Sequence, residues 1–160
     1  MRVLLLSTYD LGHQPFALAS LSAAVSKDGA EVICNDLAVE PLKDDAVKNS
    51  SLIALHLAMH TATRLALQLL PRLRKLNPSA HICLFGLYAP MIGNILVDER
   101  NMSFIGGEFE TGKIKADYLS DLNTDISFKG TTIFGGAYKK VYSNEFYSLI
   151  SLLIISLSLK

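Results

Sequence analysis

Charge of one sign is what this sequence most plainly lacks, since fifteen Lys and Arg stand against fifteen Asp and Glu. A balanced chain raises no field that would draw it onto nucleic acid or an anionic lipid surface, and neither is expected as a partner. Cysteine is nearly absent. Cys34 and Cys83 are the two present, each inside a short apolar run that reads as a strand, so both are read as small buried hydrophobes. They supply neither a metal-ligand pair nor a disulfide framework, and that suits a reducing, cytoplasmic compartment. Long apolar runs are missing from the N-terminus. After Arg2 only Val3-Leu4-Leu5-Leu6 precedes Ser7, Thr8, Tyr9 and Asp10, too short a core for a secretory signal. The chain is expected to begin with a buried strand instead. Residues 146–159 carry no charge, but their fourteen positions fall short of the about twenty that a bilayer-spanning helix needs. Catalytic signatures are absent too. There is no Gly-x-Ser-x-Gly elbow and no Gly-Lys-Ser/Thr phosphate loop, which sets aside the commonest hydrolase and P-loop readings.

What is there is a repeating alternation. Half of the 160 residues are apolar, enough for one substantial core and hardly for two. Short apolar runs at 3–6, 31–34, 52–57, 81–85 and 102–105 read as strands, separated by longer segments of helical spacing. Pro15 suits the first turn of a helix that Gly29 ends. Thr61 is expected to cap a helix whose stripe is Leu65, Leu69, Leu73 and Leu76, with Pro71 inside it. Residues 35–50 read as a loop with at most a short helix. Further helices are expected near 91–98 and 111–122. The unalternating third strand is typical of one covered on both faces. Strands and crossovers of this kind give an α/β fold, a flavodoxin-like doubly wound sheet of about five parallel strands, Rossmann-like and three-layered. The expected division is an α/β domain over 1–122 and an irregular tail over 123–160. That tail is read as packing on the domain or as a truncated or frame-shifted end.

In open parallel sheets ligands bind beyond the carboxyl ends of the strands. That rule selects the loops at 8–14, 57–61, 86–90 and 106–110. Their residues carry a resemblance. Ser7-Thr8-Tyr9-Asp10-Leu11-Gly12-His13-Gln14-Pro15-Phe16 resembles the first loop of the B12-binding domains that precede radical SAM domains. Asp36-Leu37-Ala38-Val39-Glu40-Pro41 resembles the segment after the second strand, and His60-Thr61-Ala62-Thr63-Arg64 that after the third. Gly86-Leu87-Tyr88-Ala89-Pro90 and Gly106-Gly107-Glu108-Phe109-Glu110 complete the set. The resemblance covers roughly 1–120 and implies a cobalamin-binding module. It places Ser7, Thr8, Tyr9, Asp10, Gly12, His13, His60, Thr61, Thr63, Gly86, Tyr88, Gly106, Gly107, Glu108 and Phe109 around the corrinoid cofactor, with Glu108 and Glu110 along the corrin edge.

Residue chemistry runs beside that resemblance. A corrinoid is broad and flat, with amide arms and a nucleotide tail, so it needs a wide neutral platform built from several loops. Gly12, Gly86, Gly106 and Gly107 let backbone approach a ligand. Ser7, Thr8, Thr61 and Thr63 offer hydroxyls for tail and arms, and Tyr88 and Phe109 offer flat apolar contact. Two departures narrow the reading. B12 domains that bind cobalt through histidine resemble Asp-x-His-x-x-Gly, whereas here His13 comes one residue late and Phe16 stands in the glycine's place, so no His13–cobalt bond is expected. Radical SAM-associated domains commonly lack that histidine. The Cys-x-x-x-Cys-x-x-Cys pattern that would hold an iron–sulfur cluster is also missing. The chain is therefore not catalytic alone, and a radical SAM catalytic domain or subunit is the expected partner. His56 and His60 are too few for a metal site of the chain's own.

Three rivals are weighed. A nucleotide- or dinucleotide-binding Rossmann-like domain would use Asp36 for a ribose, but Gly-x-Gly-x-x-Gly is absent. A signalling receiver needs an Asp at the end of the third strand, where Leu57-Ala58-Met59-His60 stands. A cofactor-free remnant or interaction domain is the last.

Overall fold

Unbroken apolar stretches bounded by polar turns are the building unit of this chain. In the computed structural model, residues 1–27, 29–93, 96 and 101–108 are described, with the backbone of four further strands within 113–143. Side chains are described as far as residue 106. The elements are β1 (Arg2–Ser7), α1 (Phe16–Lys27), β2 (Glu31–Asp36), α2 (Asp44–Asn49), β3 (Leu52–His56), α3 (His60–Leu76), β4 (His81–Phe85) and α4 (Ala89–Gly93). There follow β5 (Met102–Glu108), β6 (Lys113–Leu119), β7 (Ile126–Phe128), β8 (Thr131–Ile133) and β9 (Lys140–Ser143).

Seven strands form one sheet in the order β2-β1-β3-β4-β5-β6-β9, while β7 and β8 pair separately. The first five are parallel throughout, and the order 2-1-3-4-5 is that of the flavodoxin-like fold. The expected three-layer α/β architecture is therefore present. Val3 to Leu6, the whole of β3 apart from His56, and Ile82 to Phe85 are fully buried. Each buried leucine or isoleucine contributes roughly 1.5–3 kcal/mol, which is why these runs need no alternation. Helices α2, α3 and α4 join one core with Leu4, Leu6, Ile53, Leu55, Leu84 and Phe104. Helix α1 lies on the opposite face, against β1 and β2.

Local chemistry sets the element ends. The Pro15 carbonyl accepts the Leu18 amide at 3.0 Å, so proline opens α1 as expected, and Gly29 follows it with φ +79°. Two buried asparagines tie the polar connections. Asn35 donates from Nδ2 to Glu40 Oε1 and the Pro41 carbonyl and accepts the Lys43 amide, which folds the β2–α2 loop onto itself. Asn77 donates to the carbonyls of Val47 and Ser50 and accepts the Ala80 amide, joining the ends of α2 and α3 to the start of β4.

Four expectations change. Cys34, read as a buried hydrophobe, is exposed on β2, while Cys83 is buried as expected. The helix over 111–122 is not formed, because Lys113–Leu119 is β6, antiparallel to β5. Its sequence Lys-Ile-Lys-Ala-Asp-Tyr alternates with period two, which suits a strand with one solvated face. Sheet pairing then continues to β9. Thr61 does not cap α3. The capping position is Met59, which makes no side-chain bond, and Thr61 lies inside the first turn. The buried stripe of α3 is Ala62, Ala66, Leu70 and Leu73, because small residues let the helix approach the sheet while Leu65 turns outward. Helix α4 is described only as Ala89–Gly93, and most of the remaining expected helix to 98 lies outside the described residues.

Candidate functional site

The last rung of the parallel sheet lines up Asp36, Ser7, His56, Phe85 and Ile105 on adjacent strands. In-register parallel strands put these side chains on one face. The chain leaves β1 toward β2 and β3 toward β4, so the topological switch point falls between Ser7 and His56. That is the position at which such sheets bind ligands.

Ser7 is 1% exposed, and its Oγ has no hydrogen-bond partner among the described residues. Leaving a buried hydroxyl unpaired costs roughly 1–3 kcal/mol. Beside it His56 stacks on Phe85 with ring centroids 5.1 Å apart. Burial lowers the His56 imidazole to about 4, so it is neutral at physiological pH.

The surrounding loops are joined to one another. Thr8 Oγ1 donates to the Ala62 carbonyl at 2.9 Å, which ties the first loop to α3. Thr63 Oγ1 donates to the Met59 carbonyl at 2.8 Å and closes the first turn of that helix. The ring of His60 meets Tyr88 at 5.9 Å, and the Tyr88 amide donates to the Leu57 carbonyl at 3.3 Å. The Gly86 amide donates to the Ile105 carbonyl. Loops after β1, β3 and β4 and the end of β5 thus form one continuous rim.

Gly86 has a specific reason to be glycine. Its φ is +113°, and a Cβ there would lie 2.8 Å from the Leu57 carbonyl oxygen. The protein's own backbone, rather than an open ligand space, is what meets that position. Gly12 differs. Leu11 and Gly12 both have positive φ and the His13 amide donates to the Asp10 carbonyl at 2.8 Å, as in a type I′ turn. Nothing lies within 4 Å of a Cβ on Gly12, so this turn stands clear. Tyr9 and Asp10 are half-buried and His13 is exposed. Burial raises the Asp10 carboxyl above its ordinary value, His13 opposes that rise, and Asp36 adds to it.

Gly106, Gly107 and Glu108 are strand rather than loop. They pair with Lys115, Ile114 and Lys113 and run past the rung that holds Ile105 and Phe85. At about 3.3 Å per residue the β5–β6 hairpin rises roughly 10 Å above that rung. Phe109 and Glu110 lie outside the described residues.

Sequence reasoning passed over the apolar side chains of this rim. Leu11, Phe16, Leu87 and Met91 are each more than half exposed, and all sit on segments following β1 or β4. Leu11 and Leu87 stand in loops, and Phe16 and Met91 in the first turns of α1 and α4, so their signal was a large apolar residue just after a strand end. His56, weighed in the sequence with His60 as a metal ligand and set aside, instead joins the last rung of the sheet as a buried ring against Phe85. After β2, Asp36 Oδ1 accepts the Ala38 amide at 3.0 Å, so the acid offered for a ribose organises its own turn. Among the described residues no group of three His, Cys, Asp or Glu is placed to hold a metal ion, and no helix is long and apolar enough to cross a membrane.

No protein-family model and no curated protein matches this chain.

Proposed function

We propose that the carboxyl end of the parallel sheet binds cobalamin, and that the chain is the corrinoid-binding module of a B12-dependent radical SAM type protein. The observation that carries this reading is the orphaned Ser7 hydroxyl, buried at the β1–β3 switch point below a rim with exposed Leu11, Phe16, Leu87 and Met91. A polar ligand atom over Ser7 would satisfy the buried hydroxyl. Apolar side chains around it suit a broad ring whose faces are largely neutral. Tyr88 and His60 would flank the ring on the β4 side. The Asp10–His13 turn would border it on the β1 side, and the Gly106-Gly107 stretch would back it. Thr8 and Thr63 would position loops, their donor hydrogens being committed to the protein.

Bound cobalamin supplies a cobalt–carbon bond for methyl transfer or radical rearrangement. The residues named above bind and orient it. Cys34 and Cys83 cannot hold an iron–sulfur cluster by themselves, so cluster chemistry would belong to a separate catalytic domain or subunit, in a cytoplasmic setting. The cofactor-free reading draws on Gly86, whose conformation is explained by Leu57 without any ligand.

The test is gel filtration of the full chain after incubation with hydroxocobalamin. Coloured protein is the expected result. Colourless protein beside free corrinoid would reject the assignment. Gly107→Val should abolish the colour while leaving the circular dichroism unchanged, since valine suits a strand position.

A further inference from the structure

One leucine stands where neither its backbone nor its side chain is at ease. Among the described residues, Leu11 and Asn101 are the non-glycine positions with positive φ, at 50° and 55°. Asparagine tolerates the left-handed region because its short polar side chain bonds locally, whereas a leucine there crowds its Cβ against the following carbonyl. Leu11 and Gly12 are the central pair of the type I′ turn that the His13 amide closes on the Asp10 carbonyl at 2.8 Å. Asn-Gly is the pair such turns favour. Leu11 is also 63% exposed, so burial of its side chain does little to offset the strain.

The rest of the loop holds this turn in place. On one side Thr8 Oγ1 donates to the Ala62 carbonyl at 2.9 Å. On the other, Pro15 has a fixed φ and opens α1 by accepting the Leu18 amide at 3.0 Å. A Cβ on Gly12 would have nothing within 4 Å, so packing at the tip does not press the turn into this shape. Backbone strain at a residue that receives so little from the fold points to what its side chain does in a complex. We propose that Leu11 is a contact residue of the corrinoid site, its strained backbone holding an apolar side chain on the β1 side of the rim, as Leu87 and Met91 stand on the β4 side. This role rests on the corrinoid reading of the site, and it makes the turn a place where stability is given up for binding.

Stability and binding should therefore move in opposite directions at this position. In the full chain, Leu11→Asn should raise Tm by roughly 2–4 °C, because asparagine accepts the left-handed backbone. The same variant should bind hydroxocobalamin about tenfold more weakly in equilibrium dialysis, because the apolar contact is gone. Leu11→Met keeps an apolar side chain of similar volume and should bind within about twofold of the parent. A Leu11→Asn chain that is more stable and binds as tightly as the parent overturns the proposal, while the corrinoid reading stands. So does a Leu11→Asn chain whose Tm does not rise, since the backbone would then carry no strain to relieve. Binding lost as deeply in Leu11→Met as in Leu11→Asn also contradicts it, because apolar contact would not be what the residue supplies. If the unmodified chain takes up no hydroxocobalamin, the corrinoid reading itself fails, and the role of Leu11 falls with it whatever the Tm of Leu11→Asn.

Discussion

Acid should weaken this protein through His56. The imidazole is buried against Phe85, and burial lowers it from 6.5 to about 4. An unfolded chain takes up this proton as pH falls past about 6.5, whereas the folded chain resists until about 4, so protons favour the unfolded state across that window. The contribution is fully present above 6.5, declines as pH falls, and levels off below about 4. At about 1.4 kcal/mol per pH unit the whole window is worth roughly 3 kcal/mol. That is a large fraction of the 5–15 kcal/mol typical of a domain. With a urea dependence of about 2 kcal/mol/M, the unfolding midpoint should fall by roughly 1.5 M between pH 7 and pH 4. His56→Phe keeps an aromatic ring against Phe85 and removes the titration. Carboxylates such as Asp10 contribute to both proteins and cancel in the difference between them. Parallel loss of stability in the two proteins would refute the reasoning, as would a folded-state titration of the ring near 6.5 by NMR.

Asn77→Ala should cost about 3 kcal/mol, because the Val47 and Ser50 carbonyls and the Ala80 amide each lose a buried partner. Differential scanning calorimetry should show Tm lower by roughly 6–12 °C, and a fall of under about 2 °C would contradict the role given to this side chain. Gly86→Ala should destabilise more than Gly12→Ala or Gly29→Ala, since its Cβ meets the Leu57 carbonyl at 2.8 Å at φ +113°. A cooperative thermal transition at the parental temperature would show that the strand end is not so constrained. Thr8→Val removes the bond to the Ala62 carbonyl and should cost about 1 kcal/mol. Faster amide exchange in the 8–14 loop should accompany it, and unchanged exchange there would argue against the tie to α3.

Much of the fold was legible before any coordinates. Val3 to Leu6, Leu52 to Leu55 and Ile82 to Phe85 are apolar without alternation, and strands covered on both faces must read that way. Pro15 and Gly29 marked α1 because each acts on its own backbone. Signals that depend on distant partners were less visible. Lys113–Leu119 alternates with period two, yet it becomes a strand only because β5 offers an edge. The stripe of α3 takes in Ala62, Ala66 and Leu70 beside the expected Leu73, because small residues let the first turns of the helix lie close to the sheet. Asn35 and Asn77 look like ordinary loop residues until their bonds are seen, some joining positions about thirty apart. At the candidate site, strand-end loops were located by topology alone. The orphaned Ser7 hydroxyl, the clash that requires Gly86 and the neutrality of His56 all depend on packing between neighbouring strands.

Equilibrium dialysis of the full chain against hydroxocobalamin is the most direct trial of the binding claim. Corrinoid should accumulate on the protein side and saturate near one equivalent per chain, and Ser7→Val, which removes the buried hydroxyl at the switch point, should weaken that uptake by about tenfold. Equal corrinoid on both sides of the membrane would mean that the rim, however open, is not a B12 site.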